Sequence, residues 1–264
     1  MNQNAKQYFK LICSIRLMQI PVEYLKYSRQ LRKDLLSMNE QKILEKSKVT
    51  IVGVGGLGAA VATILVRMGI KKLRLIDYDK VSVTDLHRQL LYYPRDIGMP
   101  KTQIAKKRLL EIEPSASIET LYEKITEKNA ISLLSGSTLV ADGVDNYIAR
   151  KAINRAAIKL GIPYVFAGVV KEMGNVLSII PSQTPCLECV FRDKIPLNPR
   201  EVGVMPYAVT FIASIEAMEV INVILNRPKF DGKMAVIDMK TWFFRIIPFQ
   251  KWEQCPVCGG IKRK

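Results

Sequence analysis

The chain has 264 residues, of which 48% are hydrophobic and 24% charged, a composition typical of a soluble protein with one large α/β domain or two small ones. Forty Lys and Arg against 24 Asp and Glu give a net charge of +16. This charge favours acidic partners such as nucleotide phosphates, an acidic protein or nucleic acid, although a solvated basic surface explains it equally well. Charges interrupt the apolar runs before they reach membrane-spanning length, so we predict no transmembrane helix. A single histidine, His87, excludes mechanisms that need two.

The N-terminal part of the chain predicts an extension over 1–23 and two helices after it. Glu23 to Leu36 is helix-prone and contains Arg29. Ser37 and Glu40 form a capping-box pattern, which predicts that a new helix begins after Ser37. Because no internal repeat or low-complexity linker follows, we expect 24–264 to form a single domain.

A glycine-rich turn organises the centre of the chain. The β-branched run 48–52 predicts a strand, and an apolar helical pattern begins at Leu57. Between them lies G-x-G-x-x-G, whose glycines suit a tight turn, close approach of a phosphate and close helix–strand packing. Free N–H groups at the helix start favour an anionic ligand. The sequence therefore predicts a nucleotide site that includes Gly53, Gly55, Gly56 and Gly58.

The next strand, 72–77, ends at Asp77. An acid at this distance from the glycine turn can accept hydrogen bonds from both hydroxyl groups of a ribose. Pro100 predicts the start of a helix over 100–112. Lys101 is unfavourable for the dipole of that helix, which suggests that it faces an anion, and together with Arg88 it could hold a triphosphate. The alternative is that Arg88 and Lys101 are ordinary surface cations.

A further buried strand ends at Asp142, and Asp145 follows it. Ligands of open α/β sheets bind beyond the carboxyl ends of the strands, where Asp145 would be a natural Mg²⁺ ligand. An amphipathic helix over 146–160, closed by Gly161, is expected next, then strands over 163–169 and 174–180. A buried or dimer-facing helix over 209–225 and a hairpin over 233–249 complete the predicted elements.

Four of the five cysteines form two C-x-x-C pairs, a pattern specific for tetrahedral zinc. With four protein ligands the site is predicted to be structural, and two unrelated dithiol motifs are the alternative. The predicted ligands are Cys186, Cys189, Cys255 and Cys258. The expected fold is α/β: a Rossmann-like, mainly parallel sheet with helices on both faces, plus C-terminal strands stapled by the four-cysteine zinc site.

Taken together, these motifs resemble the HesA/MoeB/ThiF family, whose members include adenylyltransferases of sulfur-carrier proteins and ubiquitin-activating enzymes. The resemblance covers roughly residues 24–260 and depends on the order of YSRQ at 27–30, GVGGLG at 53–58, LIDYD at 75–79, HRQ at 87–89, GMPK at 98–101, DGVDN at 142–146, CLEC at 186–189 and CPVC at 255–258.

The resemblance implies a role for each matching residue. Asp77 would bind the ribose. Arg88, Gln89 and Lys101 would bind the triphosphate, and Asp145 would be the Mg²⁺-associated acid. Arg29 would reach the triphosphate of a partner subunit, which implies a homodimer.

Two positions depart from the family pattern. The family's asparagine three residues before Arg88 is Asp85 here, which places an extra negative charge near the phosphates. Many members also carry a nucleophilic cysteine just before the segment that matches Glu201, where this chain has Asn198, Pro199 and Arg200.

The implied function is ATP- and Mg²⁺-dependent adenylation of the C-terminal Gly carboxylate of a small ubiquitin-like carrier or modifier protein. A separate sulfur donor or another acceptor would attack the product. Thiolate ligands favour a cytoplasmic protein. The alternatives are an NAD-dependent oxidoreductase and a non-catalytic, basic, zinc-containing module that binds tRNA. The oxidoreductase does not explain the cations, and no aromatic-rich basic stripe supports the tRNA-binding module.

Overall fold

The computed structural model describes residues 20–32, 34–192 and 202–259. The predicted crossover segment at Asn198–Arg200 therefore lies outside the described residues, as does most of the predicted extension. The chain divides into two compact units, Met1–Gln41 and Lys42–Lys264. Within the described ranges the α-helices are α1 (Met38–Lys46), α2 (Gly56–Arg67), α3 (Lys101–Ile112), α4 (Ala130–Leu134), α5 (Tyr147–Leu160), α6 (Leu187–Phe191) and α7 (Pro206–Ile224).

In the first unit, the helix expected over Glu23–Leu36 is wrong. A 3₁₀-helix spans Val22–Tyr27, and turns follow it. Among the described residues of this stretch, most backbone hydrogen bonds span three residues or fewer, as between Ser28 N–H and the Leu25 carbonyl. These residues therefore form no continuous α-helical ladder. The predicted capping box is confirmed. Ser37 N–H donates to Glu40 Oε2 at 2.7 Å, and Glu40 N–H donates to Ser37 Oγ at 3.2 Å.

The second unit is built on one eight-stranded sheet, in the order β3-β2-β1-β4-β5-β6-β7-β8. The strands are β1 (Lys48–Val52), β2 (Lys72–Ile76), β3 (Ser117–Leu121), β4 (Leu139–Asp142), β5 (Tyr164–Val170), β6 (Met173–Ile179), β7 (Lys233–Asp238) and β8 (Phe243–Pro248). The first five are parallel, and β5 to β8 pair antiparallel. The expected mainly parallel sheet with C-terminal antiparallel strands is confirmed.

Helices cover both faces of this sheet, as predicted. Ile51 of β1 lies beside Gly58 of α2, whereas its neighbour Val52 belongs to a core cluster with α4 and α5. Successive side chains of a strand point to opposite faces, so these helices lie on opposite sides. The strand order reverses between β1 and β4, and a crevice opens at such a point beyond the carboxyl ends of the strands.

Helix α7 is long and apolar enough to cross a membrane by length and composition alone. It packs on α2, β5 and β6, and 67% of its most apolar window is buried in the fold. Glu216 and Glu219 are also fully buried on it. These contacts identify α7 as a core helix of a globular protein.

Candidate nucleotide site and sulfur cluster

A cavity of about 1170 Å³ opens beyond the carboxyl ends of β1, β2 and β4. Its lining includes all but one of the nucleotide-site residues predicted in the second unit: Gly53, Gly55, Gly56, Asp77, Arg88, Gln89, Lys101 and Asp145. Gly58 lies just behind this lining, in the first turn of α2. Arg29 belongs to the first unit, where it is exposed in the turn after the 3₁₀-helix.

The glycine turn is shaped by contacts that exclude side chains. Gly53 has a φ of 85°, which favours glycine, and its N–H donates to the Ile76 carbonyl at 2.7 Å. A Cβ on Gly58 would lie 1.9 Å from the Gly53 oxygen, and one on Gly143 would lie 2.0 Å from the same atom. Gly55 precedes α2, so the unpaired N–H groups of the first turn of α2 border the cavity. This arrangement is suited to an anionic ligand.

Asp77 is oriented by two backbone donors. Val54 N–H donates to Oδ2 at 2.7 Å and Asp79 N–H donates to Oδ1 at 2.8 Å. Burial raises the pKa of Asp77, and these two hydrogen bonds oppose that rise. Each carboxylate oxygen retains a lone pair, so Asp77 can still accept hydrogen bonds from two hydroxyl groups of a ligand.

The predicted phosphate-binding side chains converge on Asp85. Gln89 Nε2 donates to Asp85 Oδ1 at 2.7 Å, and Lys101 Nζ lies 3.3 Å from Oδ2. Arg88 Nη2 lies 3.7 Å from Oδ1. Lys101 lies at the start of α3, as predicted. It is buried there, and its Nζ is also 3.6 Å from Asp79 Oδ2. The extra acid noted in the sequence is thus the centre of this group.

A buried ion pair that sequence reasoning missed forms the wall beneath Asp145. Arg150 Nε donates to Asp142 Oδ2 at 2.9 Å, and Arg150 Nη2 donates to the carbonyls of Val144 and Ala167, each at 2.8 Å. Tyr164 OH donates to the same Asp142 oxygen at 2.6 Å. Burial raises the pKa of Asp142, and Arg150 opposes this rise. These bonds join the end of β4 and Val144, in the loop that follows it, to α5 and β5.

Helix α7 contributes a buried glutamate to this group. Asp142 N–H donates to Glu216 Oε1 at 2.9 Å, while Glu216 Oε2 has no hydrogen-bond partner among the described residues. Burial, followed by the charge of Asp142, raises the pKa of Glu216 well above its usual value. Burial of Glu216 beside Asp142 therefore favours its protonated form. An acid within an apolar helix is an unusual feature of the sequence, but it does not identify Asp142 as the partner.

The four cysteines of the two C-x-x-C pairs meet in the fold. Their sulfur atoms all lie within 4.8 Å of one another, and all four residues are buried. The sulfurs of Cys186 and Cys255 are 3.6 Å apart, and those of Cys189 and Cys258 are 3.4 Å apart. Tetrahedral zinc with thiolate ligands requires separations of roughly 3.8 Å. The cluster therefore fits a metal ion and joins α6 to the C-terminal segment.

Comparisons with known proteins agree with this geometry. Residues 27–257 match the model of the ThiF family. The chain is 32% identical to a sulfur carrier protein adenylyltransferase of Thermus thermophilus, over 89% of this chain and 90% of that protein. It is 30% identical to the sulfur carrier protein ThiS adenylyltransferase of Escherichia coli, over 90% of this chain and 96% of that protein. Among solved structures, Escherichia coli MccB with ATP superposes with a TM-score of 0.79 at 25% identity, over 90% of this chain and 76% of that one.

Proposed function

Because this chain belongs to the ThiF family, we propose that it is an ATP-dependent adenylyltransferase that activates the C-terminal glycine carboxylate of a small ubiquitin-like carrier protein. The observation that carries this proposal is the cavity at the end of β1, β2 and β4. There a helix N-terminus, an oriented aspartate and two cations lie together. The names of the Thermus and Escherichia relatives support the carrier protein as the substrate.

The chemistry explains why the site contains cations rather than a catalytic histidine. A carboxylate is a poor electrophile, and it becomes reactive when its oxygen attacks the α-phosphorus of ATP and expels pyrophosphate. This substitution requires positioning and stabilisation of the charge on the phosphates. Arg88 and Lys101 would supply that charge, Gln89 a neutral donor, and Asp77 the ribose contact. Asp145 lines the same cavity and would hold Mg²⁺, whose charge would offset that of the phosphates.

The sulfur cluster would hold zinc in a structural role. Four thiolates fill the tetrahedral coordination of zinc and leave no position for a substrate. This requirement for thiolates is consistent with a cytoplasmic protein.

A carrier-dependent exchange of pyrophosphate into ATP tests the proposal. Arg88→Ala, Lys101→Ala and Asp145→Ala should each lower the exchange at least ~100-fold, because each removes charge stabilisation of the transition state. Lys107→Ala is the matched control, since Lys107 is an exposed lysine on the same helix as Lys101 and is absent from the cavity lining. Near-normal exchange in all three variants would refute the site.

Ligand-induced stabilisation separates this function from the oxidoreductase alternative. ATP with Mg²⁺ should raise the melting temperature, because a ligand that binds only the folded state stabilises it. NAD should not. The opposite result would replace the adenylyltransferase with a dehydrogenase.

We also propose a homodimer in which Arg29 serves the site of the partner subunit. Its exposure leaves it accessible to a second chain. Arg29→Ala and Asp145→Ala, each inactive alone, should regain exchange activity when mixed, since one mixed site then has a complete set. Heterodimers without activity would show that Arg29 acts within its own chain or not at all.

A further inference from the structure

Asp85 stands where a polyphosphate site would be expected to hold only donors. It is 6% exposed and ends the short 3₁₀-helix Val83–Asp85. Its Oδ2 accepts from Ser82 N–H at 3.0 Å and from Ser82 Oγ at 3.1 Å. The same carboxylate contacts Gln89, Lys101 and Arg88. One buried acid therefore engages all three side chains proposed to bind the triphosphate.

The cavity already carries enough acidic side chains to offset its basic ones before any nucleotide enters. Its lining contains six acidic side chains and five basic ones, apart from His87. Lys101 lies between two carboxylates, at 3.3 Å from Asp85 and 3.6 Å from Asp79. A triphosphate must therefore draw Lys101 away from these acids, or bind next to an uncompensated negative charge.

Asp85 also fixes the amide of Gln89. A carboxylate can only accept hydrogen bonds, so Gln89 must present Nε2 to it. One Nε2 hydrogen is then committed, and Oε1 has no hydrogen-bond partner among the residues that the structure describes. An asparagine at position 85 would keep its oxygen on Ser82 and turn its NH₂ towards Gln89. The Gln89 amide could then flip, so that Oε1 accepts and both Nε2 hydrogens are released.

We propose that Asp85 is an internal counter-anion that positions Gln89 and Lys101 and weakens the hold of the site on the polyphosphate. It occupies the binding groups in the empty site and competes with the triphosphate for them. It would consequently speed the release of pyrophosphate after adenylation. This inference deepens the proposed function and depends on its assignment of the phosphate groups.

Titration calorimetry with inorganic tripolyphosphate and, separately, with adenosine tests the inference. Asp85→Asn should bind tripolyphosphate about tenfold more tightly than the wild type, because the charge that engages Gln89, Lys101 and Arg88 in place of the phosphates is removed. Its affinity for adenosine should be unchanged. Glu127→Gln is the control. Glu127 also lines the cavity, but its ion pair is with Arg155, so neither affinity should change.

The direction of the change distinguishes this role from a structural one. Damage to the fold would weaken the binding of both ligands, whereas loss of a competing anion strengthens the binding of tripolyphosphate alone. Equal or weaker binding of tripolyphosphate by Asp85→Asn, with adenosine binding intact, would overturn the inference. If the wild type catalyses carrier-dependent exchange, that result leaves the proposed function standing. Tighter binding by Asp85→Asn in a protein without exchange activity would instead reject the proposed function alone.

Discussion

Replacing Arg150 with methionine should destabilise the protein far more than the same change at Arg155. Both arginines lie on α5 and both form an ion pair, but their surroundings differ. The Arg150 and Asp142 side chains are 6% and 0% exposed, whereas those of Arg155 and Glu127 are 46% and 59% exposed. The comparison keeps the helix, the residue type and the substitution the same, and varies the burial of the arginine and the contacts that come with it.

The contacts of Arg150 set the expected size of the effect. Removing it leaves Asp142 with an uncompensated buried charge, and the carbonyls of Val144 and Ala167 each lose a donor. Removal of one partner of a buried pair costs about 3–5 kcal/mol. An exposed pair contributes at most about 1 kcal/mol. Since domains are stable by about 5–15 kcal/mol, Arg150→Met should remove a large fraction of the stability and Arg155→Met little.

Urea denaturation followed by far-UV circular dichroism measures both values. The double variant Arg150→Met with Asp142→Asn should be less destabilised than the sum of the two single changes, because the stranded charge is then absent. Equal losses for Arg150→Met and Arg155→Met would refute the reasoning. Strict additivity in the double variant would show that the two side chains are not coupled.

Four further changes follow from other parts of the structure. Burial raises the pKa of Glu216 in the folded state, so the contribution of this residue to stability is lost as the pH rises above its pKa in the unfolded chain. In urea titrations from acidic to alkaline pH, Glu216→Gln should therefore become more stable relative to the wild type. A stability difference that does not change with pH would contradict this prediction. Gly58→Ala should destabilise the protein by several kcal/mol in the same assay, on the order of an overpacked core, because its Cβ would meet the Gly53 oxygen; a neutral effect would mean that the turn can move. Chelation, or Cys255→Ser, should open the C-terminal segment to proteolysis before ATP binding is lost, and a purified protein without metal would defeat this expectation. The enzyme should form no thioester with its carrier, because every cysteine that the structure describes belongs to the sulfur cluster. A reductant-sensitive conjugate of enzyme and carrier that disappears in Cys13→Ala would contradict this, and would identify Cys13, outside the described residues, as the nucleophile.

Local patterns predicted the elements that local physics controls. Helix α5 begins at its cap, where the Asn146 side chain accepts from Ala149 N–H, and ends at Gly161 with a φ of 69°. Both boundaries were predicted from these residue types. The strand–turn–helix unit around Gly53 was also predicted, because its residues are neighbours in the chain.

The parts that sequence reasoning missed depend on contacts between distant segments. The group around Arg150 combines side chains from β4, β5, α5 and α7. No spacing in the sequence indicates that Glu216 meets Asp142. The position of Asp85 is similar, because its charge was visible but its contacts with Gln89 and Lys101 require the folded loop. The α-helix expected over Glu23–Leu36 was wrong for a different reason, since a helix-forming composition alone did not ensure an α-helix.

The sulfur cluster also determines when folding can be completed during biosynthesis. Its two halves are separated by 65 residues that include α7, β7 and β8. The second pair is synthesised 65 residues after the first, whereas the parallel strands β1 to β5 precede both pairs and can form earlier, because domains fold from the N-terminus during synthesis. Until then Cys186 and Cys189 are an incomplete pair of thiols, open to oxidation or to an incorrect partner. A nascent chain of this protein therefore depends on a reducing environment until Cys255 and Cys258 have emerged.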